Sequence, residues 1–300
     1  MTHMLYFLTM KKCMILLMIG LIFILGCMPK NMPVTDDPVI SVTEKPVILE
    51  IKAREEIPTI RPTGIPVPTA TPVPTFSPSP VPTETPKPTP DPNRPMVALT
   101  FDDGPNTAYT MRFLDVLEKY GVPGTFFVIG TNLDDQRSPQ ILQRMIELGC
   151  EIGMHDLRHS DLTRFNYDSN LKRIRQMRQK ISEMIEGGYE VHLMRPPYGS
   201  KNSTVLKACK TGEVACILWS VDTMDWSNKN TSKIIKTVKK EVKNGSIILF
   251  HDRLDASLEA IDVLIPWLLE NGYDIVTVSE LLSSEAPIEY GKSYRYKHVS

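Results

Sequence analysis

Cysteine is scarce in this chain and follows no pattern. There are five in 300 residues. Cys13 and Cys27 fall in an apolar N-terminal segment, which leaves Cys150, Cys209 and Cys216 for the rest. An odd number at irregular spacing excludes a disulfide framework; these read as small buried thiols. Net charge is nearly absent as well: 34 Lys and Arg against 35 Asp and Glu leave −1. The one concentrated basic stretch, Lys172 to Lys180, reads as the solvated face of a helix, so a nucleic-acid partner is unsupported. No glycine-rich loop follows the first strand candidate, which argues against dinucleotide binding. No apolar run reaches the ~20 residues of a membrane span.

The longest apolar run, Met14 to Leu25, follows Lys11-Lys12 and has the size of a signal-peptide core. The biological start is either Met1 or Met10. The run closes in Leu25-Gly26-Cys27, which resembles a bacterial lipobox, with cleavage before Cys27 and a diacylglycerol on its thiol. Leu25 departs from the smaller or β-branched residue usual there, and an uncleaved signal anchor is the alternative. Residues 1–27 are thus read as signal peptide and lipobox or as membrane anchor. Proline, by contrast, is plentiful and clustered: Pro66-Val67-Pro68-Thr69 opens a run that continues to Pro95. Proline fixes φ and removes amide donors, so residues 28–94 are expected to be a disordered Pro/Thr-rich spacer, with the stretch from about Ile57 to Pro95 extended over roughly 100 Å. Export, anchor and spacer together predict a protein on the outer surface of a bacterial membrane, Gram-positive by this reading, and a monomer.

The folded domain is expected over 95–283, with a polar, frayed tail over 284–300. Strand candidates are Met96–Phe101, Thr125–Ile129, Glu151–Gly153, Val191–Met194, Val214–Leu218, Ser246–Phe250 and Asp274–Val276. Helical patterns lie between them: Tyr109–Tyr120, Pro139–Leu148, Ser169–Glu186, Ser203–Lys210, Ser232–Lys243 and Ser257–Glu270. Strands alternating with helices imply a parallel sheet with crossover helices. The fold class predicted is α/β: an incomplete, distorted (β/α) barrel of about seven parallel strands.

Five polar clusters each follow a short apolar run, and an α/β barrel assembles its active site where strands end. The first is Thr100-Phe101-Asp102-Asp103-Gly104. Adjacent acids need separate roles: one ligates a metal while its neighbour stays free to accept a proton from bound water. His155 and His159 are spaced i, i+4, which on a helical turn puts both imidazoles on one side; with one acid they make an open, catalytic metal site. In Arg195-Pro196-Pro197-Tyr198-Gly199 the arginine would hold a carboxylate base, and the stiffened loop would aim the Tyr198 amide as an oxyanion donor. His251 closes an apolar strand as a general acid, Asp225 would pair with it, and Trp226 and Leu249 would wall a small apolar pocket.

These clusters together resemble the polysaccharide deacetylase family, the NodB-homology domains of carbohydrate esterase family 4, over Pro95 to Leu282. Val97-Ala98-Leu99-Thr100 and Gly124-Thr125-Phe126-Phe127 are similar to family sequence too. One departure is Asp156, where the family has Ser or Thr bracing the loop between the metal histidines. The resemblance implies Asp102 as general base, with Asp103, His155 and His159 on one divalent ion, zinc first, cobalt or manganese as alternatives. It implies that Arg195 orients Asp102, that Tyr198 lends its amide, that Asp225 tunes the general acid His251, and that Trp226 and Leu249 hold the acetyl methyl. The reaction implied is removal of acetyl groups from N-acetylglucosamine units of an extracellular polysaccharide, peptidoglycan before chitin oligomers, poly-N-acetylglucosamine or acetylated xylan. A glycoside hydrolase needs two carboxylates ~5–9.5 Å apart across a sugar bond, which neighbouring acids do not offer. A non-catalytic wall-binding module would have lost ligands or base.

Overall fold

The computed structural model of the protein describes residues 94–297. The signal segment 1–27, the lipidation site Cys27 and the spacer up to residue 93 lie outside the described residues. Among the described residues no helix is long and apolar enough to cross a membrane.

The apolar run that opens the domain becomes β1, Met96–Gly104, buried at all nine positions. Such a strand needs cover on both faces. Val97, Leu99 and Phe101 face an outer core shared with the helices; Met96 and Ala98 face an inner core. The other strands are β2 (Thr125–Val128), β3 (Glu151–Met154), β4 (Leu193–Met194), β5 (Ala215–Ile217), β6 (Val221–Asp222), β7 (Ser246–His251), β8 (Asp274–Ile275) and β9 (Ser293–Tyr294). Their order is β6-β7-β1-β2-β3-β4-β5-β9, with β8 beside the start of β1. All these pairings are parallel. The result is a curled half-barrel. The outer layer is α1 (Thr110–Tyr120), α2 (Ser138–Glu147), α3 (Tyr167–Met184), α4 (Ser203–Thr211), α6 (Thr231–Glu241) and α7 (Asp255–Glu270), with a short α5 (Asp225–Asn228) at the rim. Helix α8 (Val278–Ser283) supplies Val278, Leu281 and Leu282 to the inner core.

Two strands were not expected, and one corrects the frayed tail. Cys216 and Ile217 pair with Ser293 and Tyr294, and Tyr296 bridges to Ser246 at the start of β7. The C-terminal segment therefore spans the gap between β5 and β7. A two-residue strand in a polar stretch carries no readable period; the one marker is Tyr294, only 4% exposed in the inner core. Its hydroxyl accepts the Glu289 amide at 2.8 Å. Tyr294→Ala should cost about 3 kcal/mol and lower Tm by roughly 5–10 °C; an unchanged melting curve would mean the segment does not brace the barrel.

Candidate active site

Register brings the clusters together. Asp102 on β1 is the direct partner of His251 on β7, and Met154 pairs with Met194, so His155 and Arg195 emerge side by side. Adjacent residues on a regular strand point to opposite faces. Here the β1–β2 register slips between Asp102 and Gly104, and Asp103 takes a left-handed φ of 72°. This bulge lets both carboxylates line one cavity of about 400 Å³. Asn132 holds the loop by donating to the Asp103 carbonyl at 2.7 Å.

Asp102 is gripped from inside the barrel. Arg195 is fully buried, donates from Nη1 to Asp102 Oδ1 at 2.8 Å and to Thr100 Oγ1 at 2.8 Å. Its remaining donors reach the carbonyls of Ile217 and Leu218 at 3.4 and 3.0 Å, and its plane lies 4.2 Å from the Phe127 ring centroid. Asp102 is left with Oδ2 free of Arg195.

Asp103, His155 and His159 form a group whose ligand atoms lie within 4.8 Å of one another. The Nδ1 of His155 donates to the Arg195 carbonyl at 2.7 Å, which fixes the tautomer and leaves Nε2 as the ligand atom. Nε2 of His155 and of His159 lie 3.6 and 3.3 Å from Asp103 Oδ1. That oxygen is buried without a hydrogen-bond partner. An orphaned carboxylate oxygen facing two imidazole nitrogens suits a divalent cation, so these residues fit the metal that the sequence called for. Burial, and then the neighbouring His155, push the His159 pKa down, which favours the neutral, ligating form.

The helical turn expected for His155 and His159 is not there. Asp156 and His159 have φ of 65° and 55°, and the segment is a loop whose two left-handed residues bring the rings to a centroid separation of 5.0 Å. Asp156 explains how. Its Oδ2 accepts the amides of Arg158 and Ser160 at 3.1 and 2.8 Å, as a hydroxyl brace would. Its Oδ1 takes Arg173 Nη1 at 2.9 Å, a partner that offsets the buried charge. Asp156→Ala should weaken metal affinity about ten- to hundredfold through the slackened loop; equal affinity by chelator competition would refute the brace.

Across the cavity, Asp225 accepts from His251 twice: the backbone amide at 2.8 Å and ring Nδ1 at 2.7 Å. Ser257 Oγ donates to the same carboxylate. Burial opposes charge on His251, but the Asp225 hydrogen bond and charge outweigh it and raise the His251 pKa. Burial opposes charge on Asp225 too, yet His251 and Ser257 hold its pKa below the ordinary value. Behind the bulge, Asp252 is fully buried beside Gly104, bonded to Thr110. Burial pushes its pKa up to about 7.

Tyr198 sits at φ 61° in the turn Pro197–Gly199. The Gly199 and Ser200 amides close that turn onto Pro196 and Pro197, and Tyr198 lines the cavity. Leu249 is a buried wall of the cavity, and Trp226, 51% exposed, lines it at the rim. Two cavity residues escaped the sequence reading, Trp219 and Arg253, and Asp222, which opens the cluster Asp222-Thr223-Met224-Asp225-Trp226, had been given no role. Trp219 Nε1 donates to Asp222 Oδ2 at 3.2 Å. Arg253 reaches Asp103 Oδ2 at 3.0 Å. Strand curvature delivers Trp219 and Arg253, and no local pattern announced them.

The family profile described as Polysaccharide deacetylase matches residues 89–217. The chain is 43% identical over 191 residues to the peptidoglycan-N-acetylmuramic acid deacetylase PdaC of Bacillus subtilis, covering 64% of this chain and 39% of that protein. It thus spans about two fifths of that relative's length. It is 34% identical to a peptidoglycan-N-acetylglucosamine deacetylase of Bacillus cereus, over 69% of this chain and 91% of that one. A family 4 acetyl xylan esterase from Clostridium thermocellum, solved with a cobalt ion, superposes with a TM-score of 0.62 at 31% identity, covering 67% of this chain and 98% of that one. The chain belongs to the polysaccharide deacetylase family.

Proposed function

We propose that this protein is a metal-dependent N-deacetylase of peptidoglycan, hydrolysing acetamido groups of its amino sugars to free amines and acetate. The observation that carries the reading is that two proton-handling groups share one cavity with the Asp103–His155–His159 cluster. Arg195-bound Asp102 is one and Asp225-bound His251 is the other. The relatives' substrates include peptidoglycan at both N-acetylglucosamine and N-acetylmuramic acid.

Asp103, His155 and His159 would hold the divalent ion. When bound, such an ion polarises the carbonyl and acidifies water; zinc is the first choice, and cobalt is found with the Clostridium relative. Asp102 Oδ2 takes the proton as water adds to the acetamide carbon, while Arg195 keeps the carboxylate turned towards the cavity. The Tyr198 amide donates to the developing oxyanion. The C–N bond breaks as His251 Nε2 hands its proton to the nitrogen. Leu249 and Trp226, which line the same cavity, would bound the space for the methyl group. Acetate released from purified peptidoglycan, silenced by a chelator and restored by Zn²⁺ or Co²⁺, is the expected result. New reducing ends without acetate would instead indicate glycoside hydrolysis.

We place the enzyme outside the cell, tethered through Cys27 and separated from the membrane by the Pro/Thr-rich stretch. The order signal segment, cysteine, spacer, catalytic domain supports that reading. Cys27→Ser should release the protein into the medium or leave it unprocessed; unchanged processing and retention would favour a signal anchor.

A further inference from the structure

We propose that helix α6 and the neighbouring face of α7 form a membrane-docking surface, which lays the domain against anionic lipid headgroups. The inference goes beyond the deacetylase reading and does not depend on it.

Helix α6 carries Lys233, Lys236, Lys239 and Lys240, and Lys243 follows its end. All five are exposed. They are spread through the sequence and gather only on the helix. At ~100° per residue, the four on α6 occupy about a third of its circumference, opposite the buried Ile234 and Val238. Among the described residues none of the five meets a carboxylate. The contacts they make are with aromatic rings: Lys239 over Trp267 at 5.0 Å and Lys243 over Tyr296 at 4.8 Å. Two acids of α7 are engaged elsewhere, Glu259 by the Thr231 hydroxyl and Asp262 by Lys119. The helix dipole accounts for Lys239 and Lys240 in the last turn. It does not account for Lys233 and Lys236, which stand nearer the positive end. Like charges at i, i+3 and i, i+4, as in Lys233/Lys236 and Lys236/Lys240, weaken a helix. The stripe therefore works against the fold until an anionic partner neutralises it.

Two features select a lipid surface over a dissolved polyanion. The first is apolar. Val263, 47% exposed, stands one turn before Trp267 on α7, and the Trp267 ring sits beside Lys239. Aliphatic and aromatic side chains flanking lysines suit the boundary between headgroups and acyl chains; a soluble polyphosphate offers them nothing. The second is where the chain enters. Just past α6, the Met96 amide donates to Asn244 Oδ1 at 2.9 Å and the Gly245 amide to the Met96 carbonyl at 2.7 Å. Residues 1–93 therefore join the domain beside the lysine-rich end of α6. The site clusters close the opposite ends of the same strands, β1 and β7. A domain tethered through that entry can meet the bilayer with this face while its cavity stays open. The spacer sets how far the domain can travel, and docking sets where it rests.

The test adds full-length protein to two sets of vesicles, phosphatidylcholine alone and phosphatidylcholine with phosphatidylglycerol, each carrying spin-labelled headgroups that quench nearby tryptophan. Trp267 is the reporter, since the other two tryptophans, Trp219 and Trp226, line the cavity. Anionic vesicles should quench the emission and zwitterionic ones should not. Salt at about 1 M should reverse the quenching as the screening length falls from ~8 to ~3 Å. Trp267→Phe should remove the quenched component. Lys233→Gln, Lys236→Gln, Lys239→Gln and Lys240→Gln together keep helix propensity and should empty the docked state, each lost lysine weakening docking about fivefold. Equal quenching by both lipids overturns the proposal, as does quenching that survives the four substitutions or Trp267→Phe. Lysine-dependent binding to a soluble phosphodiester polymer, with no quenching by anionic vesicles, overturns it too. The lipid comparison uses wild type, so it decides the question even if the fourfold variant misfolds. Acetate release plays no part in the measurement, so failure of the deacetylase reading would leave the docking result standing.

Discussion

Asparagine in place of Asp102 is expected to lower kcat by about 10²–10⁴, the usual worth of a positioned general base, while the protein keeps its divalent ion. The substitution is isosteric. The amide oxygen accepts the same 2.8 Å bond from Arg195, so the loop keeps its shape and only the basic oxygen is lost. The ligand set Asp103, His155 and His159 is untouched; Asp102 Oδ2 comes no nearer than 3.7 Å to His155 Nε2. A stability penalty accompanies the kinetic one, because Arg195 is fully buried and loses its counter-charge. Removing one partner of a buried pair costs about 3–5 kcal/mol, and the retained hydrogen bonds put Asp102→Asn towards the low end. The two effects separate by measuring metal content and turnover on the folded fraction. Loss of metal in Asp102→Asn, with metal retained in Asp103→Asn, would reverse the roles assigned to the two acids.

The strands that build this site were legible because they are apolar without interruption, as in Met96–Leu99, and each closes in residues that an inert domain has little reason to place there. Five such closures outweighed what any one of them carried. The geometry inside each closure was not legible. Nothing in Asp102-Asp103 foretells a bulge with a left-handed second residue, yet that bulge is what allows two neighbours to face one cavity. The i, i+4 spacing of His155 and His159 pointed to a helix, since helix is the commonest way to bring such residues together. Two left-handed residues and the Asp156 brace reach the same end without one. Val221–Asp222 and Ser293–Tyr294 are too short to display a period. Trp219 and Arg253 reach the cavity from the ends of β5 and β7, which only the curvature of the sheet brings face to face. Arg195 is the converse: a fully buried arginine is rare, and only its position before two prolines in a family-like motif marked it as internal.

The other large effect concerns the acid. His251 must be protonated to give its proton to the leaving nitrogen, and Asp102 must be ionised to take one, so the rate should be bell-shaped in pH. The sign of the alkaline limb follows from the environment. Burial alone would push the His251 pKa down; the Asp225 bond at 2.7 Å reverses this and raises it. A raised pKa means the productive, protonated ring persists to higher pH and is lost as pH climbs through that value. Asp225→Asn keeps an oxygen that can accept from Nδ1 but removes the charge. Burial is then opposed only by the weaker pull of the Asp102 and Asp103 charges, and the alkaline limb should move to lower pH. His251→Ala removes the acid itself and should cut kcat by about 10²–10⁴ at every pH, with metal binding intact because the ring is not among the ligands. The pH-rate profile of Asp225→Asn is the sharper test. If its alkaline limb stays where wild type has it, the Asp225–His251 pair does not set the protonation of the acid, and some other group hands the proton to the leaving nitrogen.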